Sequence, residues 1–462
     1  MGSNSMPCQT CSEDRISRLP DGILCHILSF LDITETIKTS GLSHRWKDVW
    51  VSFPNLKFNV QNPESDKGRS AGFVDQVLSH SGSSSIQRFE LVCYGVDDYF
   101  SRVHDWVCTA LRRNVVELLL YLLPNPGKLY EFPQSLFMCK TLSVLKLRLQ
   151  FDLIAIPSNS DCFPHLKILH VTVCCPNADS IKKLFSCCPA LEDLVIDGLI
   201  SKIAREERLL LSFTVSAPKL RRLRICLRGG AKNYVSININ APHLEKLDLF
   251  DNFLVDYELK NEKSLSTAKI AVQIHKRCQN DHLDNDYAAR MHRLFAGIIN
   301  VKYLSLSAPI LRDSDPKFQH LLPTFYNLNH LEVLLKTCCS WKSLIKLLEI
   351  SPNLENLVFE NNVECYTADD NNELHEWCPP NIVPICLLSS LKSISVRGYK
   401  WRPDEMEVAK YMLEHGVVLK KVTVYTRSIP TEKQMELEQE FSKFPRASKT
   451  CQTELVELKA KG

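Results

Sequence analysis

The chain has little glycine and no long apolar run. Fifteen of its 462 residues are glycine, and they do not form the glycine-rich loops that cradle phosphate in P-loop or dinucleotide-binding proteins. The G-x-S-x-G and H-E-x-x-H motifs of hydrolases are also missing. No stretch approaches the roughly 18 consecutive apolar residues that span a membrane. The sequence therefore predicts a protein that is not an enzyme, carries no cofactor and does not enter a membrane.

The chain also has no large excess of positive or negative charge. The chain has 56 Lys and Arg residues against 53 Asp and Glu residues, a formal net charge of +3. This near-balance argues against nucleic acid or an anionic membrane as the main partner. The 19 cysteines are odd in number and scattered, and residues 1–15 lack the apolar core of a signal peptide. We expect reduced thiols and a location in the cytoplasm, the nucleus or both.

Two groups of residues have spacings found in metal sites. Cys8 and Cys11 form a C-x-x-C pair, but no second pair follows at a matching distance. His275, Cys278 and His282 form a second group, and a chain with many scattered His and Cys residues produces such triplets easily. The cysteine doublets, such as Cys187-Cys188, are typical of small buried hydrophobic side chains. We predict neither a metal site nor a catalytic residue.

Residues 13–53 contain three helix signals and more apolar surface than so short a segment can bury. Pro20 suits a first helical position, and Asp32 and Ser43 suit the N-caps of a second and a third helix. The first helix has apolar residues along one face, namely Ile23, Leu24, Ile27, Leu28 and Leu31. The unit is either a helical cap on a larger core or a partner-binding face.

The residues D-R-I-S-R-L-P-D-G-I-L-C-H-I-L-S-F-L at 14–31, followed by T-S-G-L-S-H-R-W-K-D-V-W at 39–50, closely resemble the plant F-box motif. In that family this motif packs against a Skp-type adaptor, which joins the protein to a cullin-based ubiquitin ligase. One departure is Gly41, where the family more often has a larger residue. Carried over by position, the resemblance implies adaptor contacts at Leu19, Pro20, Ile23, Leu24, Ile27, Leu28 and Trp46.

A short phrase, L-x-x-L-x-L, returns along the rest of the chain. Clear copies begin at residues 141, 165, 190, 219, 243, 300, 330, 353 and 390. Weaker forms begin at Ile86, Val116 and Leu265, the last within an irregular segment at 250–299. Each copy predicts one short strand, and helical spacing at 179–186 and 340–348 predicts helices between strands. This is the leucine-rich-repeat arrangement, a solenoid with parallel strands on its concave face. It resembles the repeats of plant F-box proteins.

The C-terminal part has a resemblance of its own. P-P-N-I-V-P-I-C-L-L-S-S-L-K-S-I-S-V-R-G-Y-K-W at 379–401 and F-P-R-A-S-K-T-C at 444–451 are similar to the FBD domain of plant F-box proteins. A helix is predicted from Pro403 to before Gly416, then a strand at Leu419–Val424. A last helix opening at Thr431 should turn Leu437, Phe441 and Phe444 inward. We expect this module to continue the repeats and cap them.

The sequence thus predicts an α/β protein with an F-box at 13–60, a leucine-rich-repeat solenoid at 71–375 and an FBD domain at 379–451. The resemblance implies a target-recruiting subunit of an SCF-type ubiquitin ligase, which binds a Skp-type adaptor, and through it a cullin, together with an unknown protein target. The alternative is an adaptor-binding scaffold or receptor that delivers no target. Arg222 and Arg224 should share one strand face, either as a solvated surface or as a site for an acidic or phosphorylated peptide.

Overall fold

The structure is a computed structural model, and it describes most of the chain. The described residues are 16–81, 85–123, 132–149, 162–174, 184–200, 210–229, 234–253, 255–260, 263–272, 284–307, 322–335, 341–361, 377–399, 403–427, 436 and 439–458. They belong to two compact units, residues 1–171 and 172–462, which are described separately.

The first unit begins with three short helices, α1 (Asp21–Leu28), α2 (Ile33–Lys38) and α3 (His44–Val51). As predicted, the side chain of Asp32 caps α2 by accepting a hydrogen bond from the Glu35 N–H at 2.8 Å. Ser43 is the N-cap residue of α3, but its hydroxyl makes no capping bond. Pro20 lies one position earlier than predicted, at the N-cap of α1.

Four strands of the first unit run parallel and pair in chain order. They are β1 (Asn55–Val60), β2 (Arg88–Tyr94), β3 (Glu117–Leu123) and β4 (Val144–Leu149). A fifth, β5 (Ile168–Cys174), runs across the division between the units. Helices α4 (Pro63–Asp66), α5 (Arg69–His80), α6 (Phe100–Arg112) and α7 (Gln134–Phe137) lie between strands.

The polar segment at 61–70, between the predicted F-box and the predicted repeats, is largely helical. It contains α4 and the start of α5, separated by Lys67 and Gly68. The φ of Gly68, 74°, is one that glycine adopts without strain. Strand β1 precedes this segment and pairs with β2, so the residues before position 60 already contribute a strand to the sheet. The domain limits given above remain predictions.

The described part of the second unit contains thirteen further strands. They are β6 (Asp193–Ile200), β7 (Leu210–Ser216), β8 (Arg222–Gly229), β9 (Tyr234–Asn240), β10 (Lys246–Asp251), β11 (Asp256–Leu259), β12 (Thr267–Val272), β13 (Tyr303–Ser307), β14 (His330–Leu335), β15 (Asn356–Asn361), β16 (Ser393–Arg397), β17 (Lys421–Arg427) and β18 (Gln452–Leu458). Ten form one parallel sheet in the order β6-β8-β10-β12-β13-β14-β15-β16-β17-β18. The other three form a small parallel sheet, β11-β9-β7.

The apolar residues of the repeated phrase form the core, as predicted. In β10, for example, Leu247 and Leu249 are buried and lie in register with Leu223 and Ile225 of β8.

Two of the predicted strand registers are wrong. The copy assigned to Val116 begins at Val115, because Leu118 and Leu120 are the residues in register with Phe89 and Leu91. The copy assigned to residue 330 begins at 327, since its strand starts at 330 and not three residues later.

Among the described residues, the second unit has the helices α8 (Asp284–Gly297), α9 (Trp341–Glu349), α10 (Ile385–Ser389) and α11 (Pro403–His415). Helices α9 and α11 confirm two predictions. Of the helix predicted at 179–186, residues 179–183 lie outside the described residues. The small sheet β11-β9-β7 was not predicted: its strands lie between β6 and β12, in segments for which the sequence predicted neither a helix nor a strand. No helix in the described part of the chain is long and apolar enough to cross a membrane.

The C-terminal residues continue the parallel sheet. Strand β16 pairs with β15, and β17 confirms the predicted strand at Leu419–Val424. The Trp341 indole N–H of α9 donates a hydrogen bond to Asp404 of α11 at 2.9 Å, which ties the C-terminal helix to the repeats. In the predicted last helix, Phe441 is buried and Phe444 half-buried, while Thr431 and Leu437 lie outside the described residues. Strand β18 begins beyond the predicted end at 451.

Candidate protein-binding surfaces

The N-terminal helices expose an unusual number of large apolar side chains. Ile23 is 47% exposed and Ile27 is 37% exposed, one helical turn apart on α1. We call the whole group the exposed apolar set; its members are Ile16, Ile23, Ile27, Phe30, Leu31 and Leu42. Scattered apolar residues are ordinary on a protein surface, but so many within 27 residues is typical of an interaction site.

A cluster of hydrogen bonds fixes the segment that leads into α1. The Arg45 guanidinium of α3 donates to the Ser17 carbonyl, to the Leu19 carbonyl at 2.6 Å and to the Asp21 carboxylate at 2.8 Å. The Trp46 indole N–H donates to the Ser17 hydroxyl at 2.9 Å. These bonds hold Leu19 and Pro20 at the start of the exposed apolar set. Helix α3 therefore positions the residues that the F-box resemblance indicates.

The seven predicted adaptor contacts divide into two groups. Pro20, Ile23 and Ile27 are exposed and Leu19 is half-buried, so all four present surface to a partner. The remaining three are fully or almost fully buried within the module, namely Leu24, Leu28 and Trp46. In this structure these three side chains offer no surface to a partner and instead support α1 from inside. Sequence reasoning did not assign Ile16, Phe30, Leu31 or Leu42 to the site.

The predicted basic group lies on the strand face of β8. Arg222 and Arg224 share one face, and Leu223 and Ile225 point into the core, as predicted. Arg222 pairs with Asp193 at 3.0 Å, and Arg221, in the turn before the strand, lies 3.4 Å from Glu245. Two of the arginines thus already have acidic neighbours.

A second polar cluster occupies the strand face of β13–β16. The Tyr303 hydroxyl donates to Glu332, and its ring stacks on His330 with centroids 4.7 Å apart. Arg397 lies 3.7 Å from Glu332 and 4.0 Å from Glu360. Burial lowers the pKa of His330, which favours the neutral form of its ring. Burial and Glu332 raise the pKa of Tyr303, which keeps its hydroxyl a donor. The side chains of this cluster are already engaged with one another through hydrogen bonds, ion pairs and ring stacking.

An open groove of about 300 Å³ lies at the turns before β6, β8, β10 and β12. It is lined by Glu192, Lys219, Arg221, His243, Glu245 and Ser264. Because carboxylates stand among the basic side chains, the groove has no strong preference for a ligand of one charge. Its mixture of acidic and basic side chains does not indicate a catalytic site.

The residues with metal-like spacing, Cys8, Cys11, His275, Cys278 and His282, lie outside the described residues. Within the described ranges no three His, Cys, Asp or Glu side chains come together as a metal site would require. Cys187 and Cys188 are buried, as predicted for small hydrophobic side chains. Burial also raises the pKa of the Cys93 and Cys386 thiols to about 12, which makes both poor nucleophiles.

Comparison with protein-family models matches three parts of the chain. Residues 16–58 match the F-box domain, residues 103–274 match the leucine-rich repeats described as those of FBD-associated F-box protein At5g56370, and residues 379–424 match the FBD domain. The first match contains all seven predicted adaptor contacts. The second covers the strands from β3 to β12.

Several curated proteins of Arabidopsis thaliana are similar over most of the chain. F-box/LRR-repeat protein At4g14096 is 32% identical, with 96% of this chain and 95% of the relative covered. The putative F-box/FBD/LRR-repeat protein At3g49030 is also 32% identical, covering 95% and 94%. F-box/LRR-repeat protein At4g14103 is 34% identical over 76% of this chain and 92% of its own length.

Proposed function

Because the chain belongs to the plant family of F-box proteins with leucine-rich repeats and an FBD domain, we propose that it is the target-recruiting subunit of an SCF-type ubiquitin ligase. Its domains are those of an F-box protein of the ubiquitin-ligase type, and proteins of this family are typically substrate adaptors, not catalysts. We further propose that it works in the cytoplasm, the nucleus or both.

The observation that carries the proposal is the exposed apolar set. A Skp-type adaptor would cover Ile23 and Ile27 on α1 together with the apolar side chains beside them, and would link the chain to a cullin. Burying large apolar side chains at the centre of an interface supplies most of its affinity. Leu24, Leu28 and Trp46 contribute by holding α1 in place from within.

The strand face of the repeats would bind the target protein. Holding a target lysine near an activated ubiquitin thioester raises its effective concentration, so the chain needs a fixed geometry and no nucleophile of its own. The parallel sheet suits this task because each strand is held by its neighbours through paired backbone hydrogen bonds.

The test is capture of a purified Skp-type adaptor by the Ile23→Glu/Ile27→Glu variant. Placing two charges in the apolar interface should make the binding free energy less favourable by several kcal/mol. The dissociation constant should therefore rise by roughly 100-fold or more. The matched control is Val417→Glu, which charges another exposed apolar position and should leave capture unchanged. Adaptor capture at wild-type strength by the double variant would show that α1 is not the contact.

Delivery of a target is tested separately in plant cells treated with a proteasome inhibitor. A ubiquitylated protein that is enriched by the full chain, and lost with the Ile23→Glu/Ile27→Glu variant, supports the ligase subunit. Adaptor capture without any modified client would instead mean a scaffold or receptor.

A further inference from the structure

Three adjacent strands of the second unit place their outward side chains in rows. The strand register sets Arg222 beside Lys246, and it forms a second row in which Asp248 lies between Arg224 and Lys269. Two residues further along the strands, Cys226 stands beside Phe250 and Ala271. Because successive side chains alternate, all of these residues lie on the face opposite the leucine core.

The cations of this face are only partly matched by acids. Arg222 is engaged by Asp193, but Arg224, Lys246 and Lys269 are exposed and form no ion pair with any residue in the described ranges. We call these three residues the basic triad. One carboxylate of the same face, Asp248, stands between Arg224 and Lys269 in the register. The triad therefore leaves a net positive surface that can attract an anionic partner.

The row beyond the triad is apolar. Cys226 is buried, and Phe250 and Ala271 are half-buried on the outward face. On the neighbouring strand β6, Asp197 ends this row beside Cys226, and Leu199, which is 47% exposed, stands in the next row beside Arg228. An outward strand position normally carries a polar residue, so a row of apolar side chains beside cations favours contact with an amphipathic segment.

We propose that the strand face of β8, β10 and β12 binds a target segment in which aspartate or glutamate side chains stand next to apolar ones. The acidic side chains would meet Arg224, Lys246 and Lys269, and the apolar side chains would cover Phe250 and Ala271. This inference rests on the proposed function and names the chemistry of the target that the repeats recruit.

The spacing of the triad favours separate carboxylates over a phosphate group. Adjacent strands lie about 4.8 Å apart, so the backbones at Arg224 and Lys269 are about 10 Å apart. A phosphate is bound best where several donors converge on one point. Here the cation beside Lys246 is Arg222, which is already paired with Asp193, and Asp248 lies between Arg224 and Lys269, where it would repel a dianion. The carboxylates of a peptide are spread along its length, so each can pair with a different cation of the triad.

The experiment selects short random peptides displayed on phage against the full-length chain and measures the affinity of the enriched peptides by fluorescence anisotropy. Asp or Glu together with Leu, Ile or Phe should be enriched. The Arg224→Glu/Lys246→Glu/Lys269→Glu variant should bind these peptides about tenfold more weakly, since three partly exposed charge pairs are lost. The control variant, Lys302→Glu/Lys420→Glu/Lys443→Glu, reverses three exposed lysines elsewhere and should bind normally.

Several results would overturn the inference: no enriched peptide, enriched peptides without acidic residues, equal affinity for both triple variants, or binding only when phosphoserine replaces the glutamates. Adaptor capture by the same proteins keeps the two proposals apart. Wild-type protein that binds the adaptor but no acidic peptide contradicts this inference alone. Protein that binds the peptide but no adaptor contradicts the proposed function and leaves the recognition chemistry intact.

Discussion

Asp251 holds a carboxyl group in the interior of the second unit. Its side chain is fully buried, accepting hydrogen bonds from the Tyr257 hydroxyl at 2.8 Å and from the Leu227 N–H at 3.1 Å. Burial outweighs these two bonds and raises the pKa of Asp251 to about 7, against an ordinary value of 3.8. The folded protein therefore binds this proton more tightly than the unfolded chain does.

This difference predicts that stability falls as pH rises. The favourable contribution is complete below the unfolded pKa, near pH 4, and is lost as pH passes through the folded value near 7. The free energy of unfolding should drop by about 4 kcal/mol between pH 4 and pH 8 from this group alone. Denaturant unfolding across that range measures it.

Two variants isolate the contribution of Asp251. Asp251→Asn cannot ionise, so most of the fall in stability between pH 4 and pH 8 should disappear. Asp248→Asn serves as the control, because Asp248 lies on the same strand with its side chain on the opposite face, and it should keep the wild-type dependence. Identical pH profiles for the wild type and Asp251→Asn would show that the buried carboxyl does not govern this behaviour.

The sequence could not show which apolar residues of α1 are buried and which are exposed to a partner. Apolar spacing identifies α1, but Ile23 and Leu24 are neighbours in the chain and both belong to its apolar side. Helix α3 packs against α1 and decides which of them is covered. Leu24 becomes fully buried and Ile23 remains 47% exposed. Such a choice depends on tertiary packing, which a helical period does not contain.

At the scale of elements, the repeated phrase predicted the starts of most strands. It did not predict the structure of the segments between its copies. Eight of the nine clear copies place the strand start at their fourth residue, and the copy at 330 was read three residues late. Strand β9 was missed although Val235, Ile237 and Ile239 alternate with polar residues and are buried. Strand β9 lacks the L-x-x-L-x-L phrase, so a prediction based on that phrase missed its period of two.

Two helical glycines should respond in opposite ways to alanine. At Gly297, the last residue of α8, a Cβ atom would lie 2.7 Å from the Leu259 Cβ. Gly297→Ala should therefore destabilise the protein by about 1–3 kcal/mol. At Gly72, within α5, nothing lies within 4 Å of the added atom, and Gly72→Ala should stabilise by up to about 1 kcal/mol because alanine favours helix.

Thermal unfolding followed by circular dichroism checks both glycine variants under the same conditions. We expect a lower midpoint for Gly297→Ala and an equal or higher one for Gly72→Ala. A Gly297→Ala midpoint at the wild-type value would mean that α8 shifts freely away from Leu259.

At the scale of the whole molecule, the sheet of the second unit should depend on its C-terminal strands. A chain ending at Asp370 loses β16, β17, β18 and α11, which uncovers the edge of β15 and removes the hydrogen bond between Asp404 and Trp341. We expect a lower unfolding midpoint and aggregation, because an uncovered repeat exposes apolar side chains and an unpaired strand edge. An unchanged midpoint with a soluble monomer would contradict a stabilising role.

A second truncation, ending at Cys451, is the matched control. It removes β18, the last strand of the sheet, where Thr453, Leu455 and Val456 are only half-buried. Loss of this strand should cost much less than loss of all three, since little apolar surface is uncovered. Equal midpoints for the two truncated chains would place the stabilising contacts in β18 instead.

The order of strands from β12 to β18 also determines how the chain would respond to mechanical force. Within this run, strands that are consecutive in the sequence are also hydrogen-bonded neighbours in the sheet. A tension applied at the C-terminus would peel β18 from β17, then β17 from β16, breaking the few bonds of one strand at a time. The resistance would be a series of small, similar steps without a single high barrier, so a motor that pulls from this end could extract the sheet gradually.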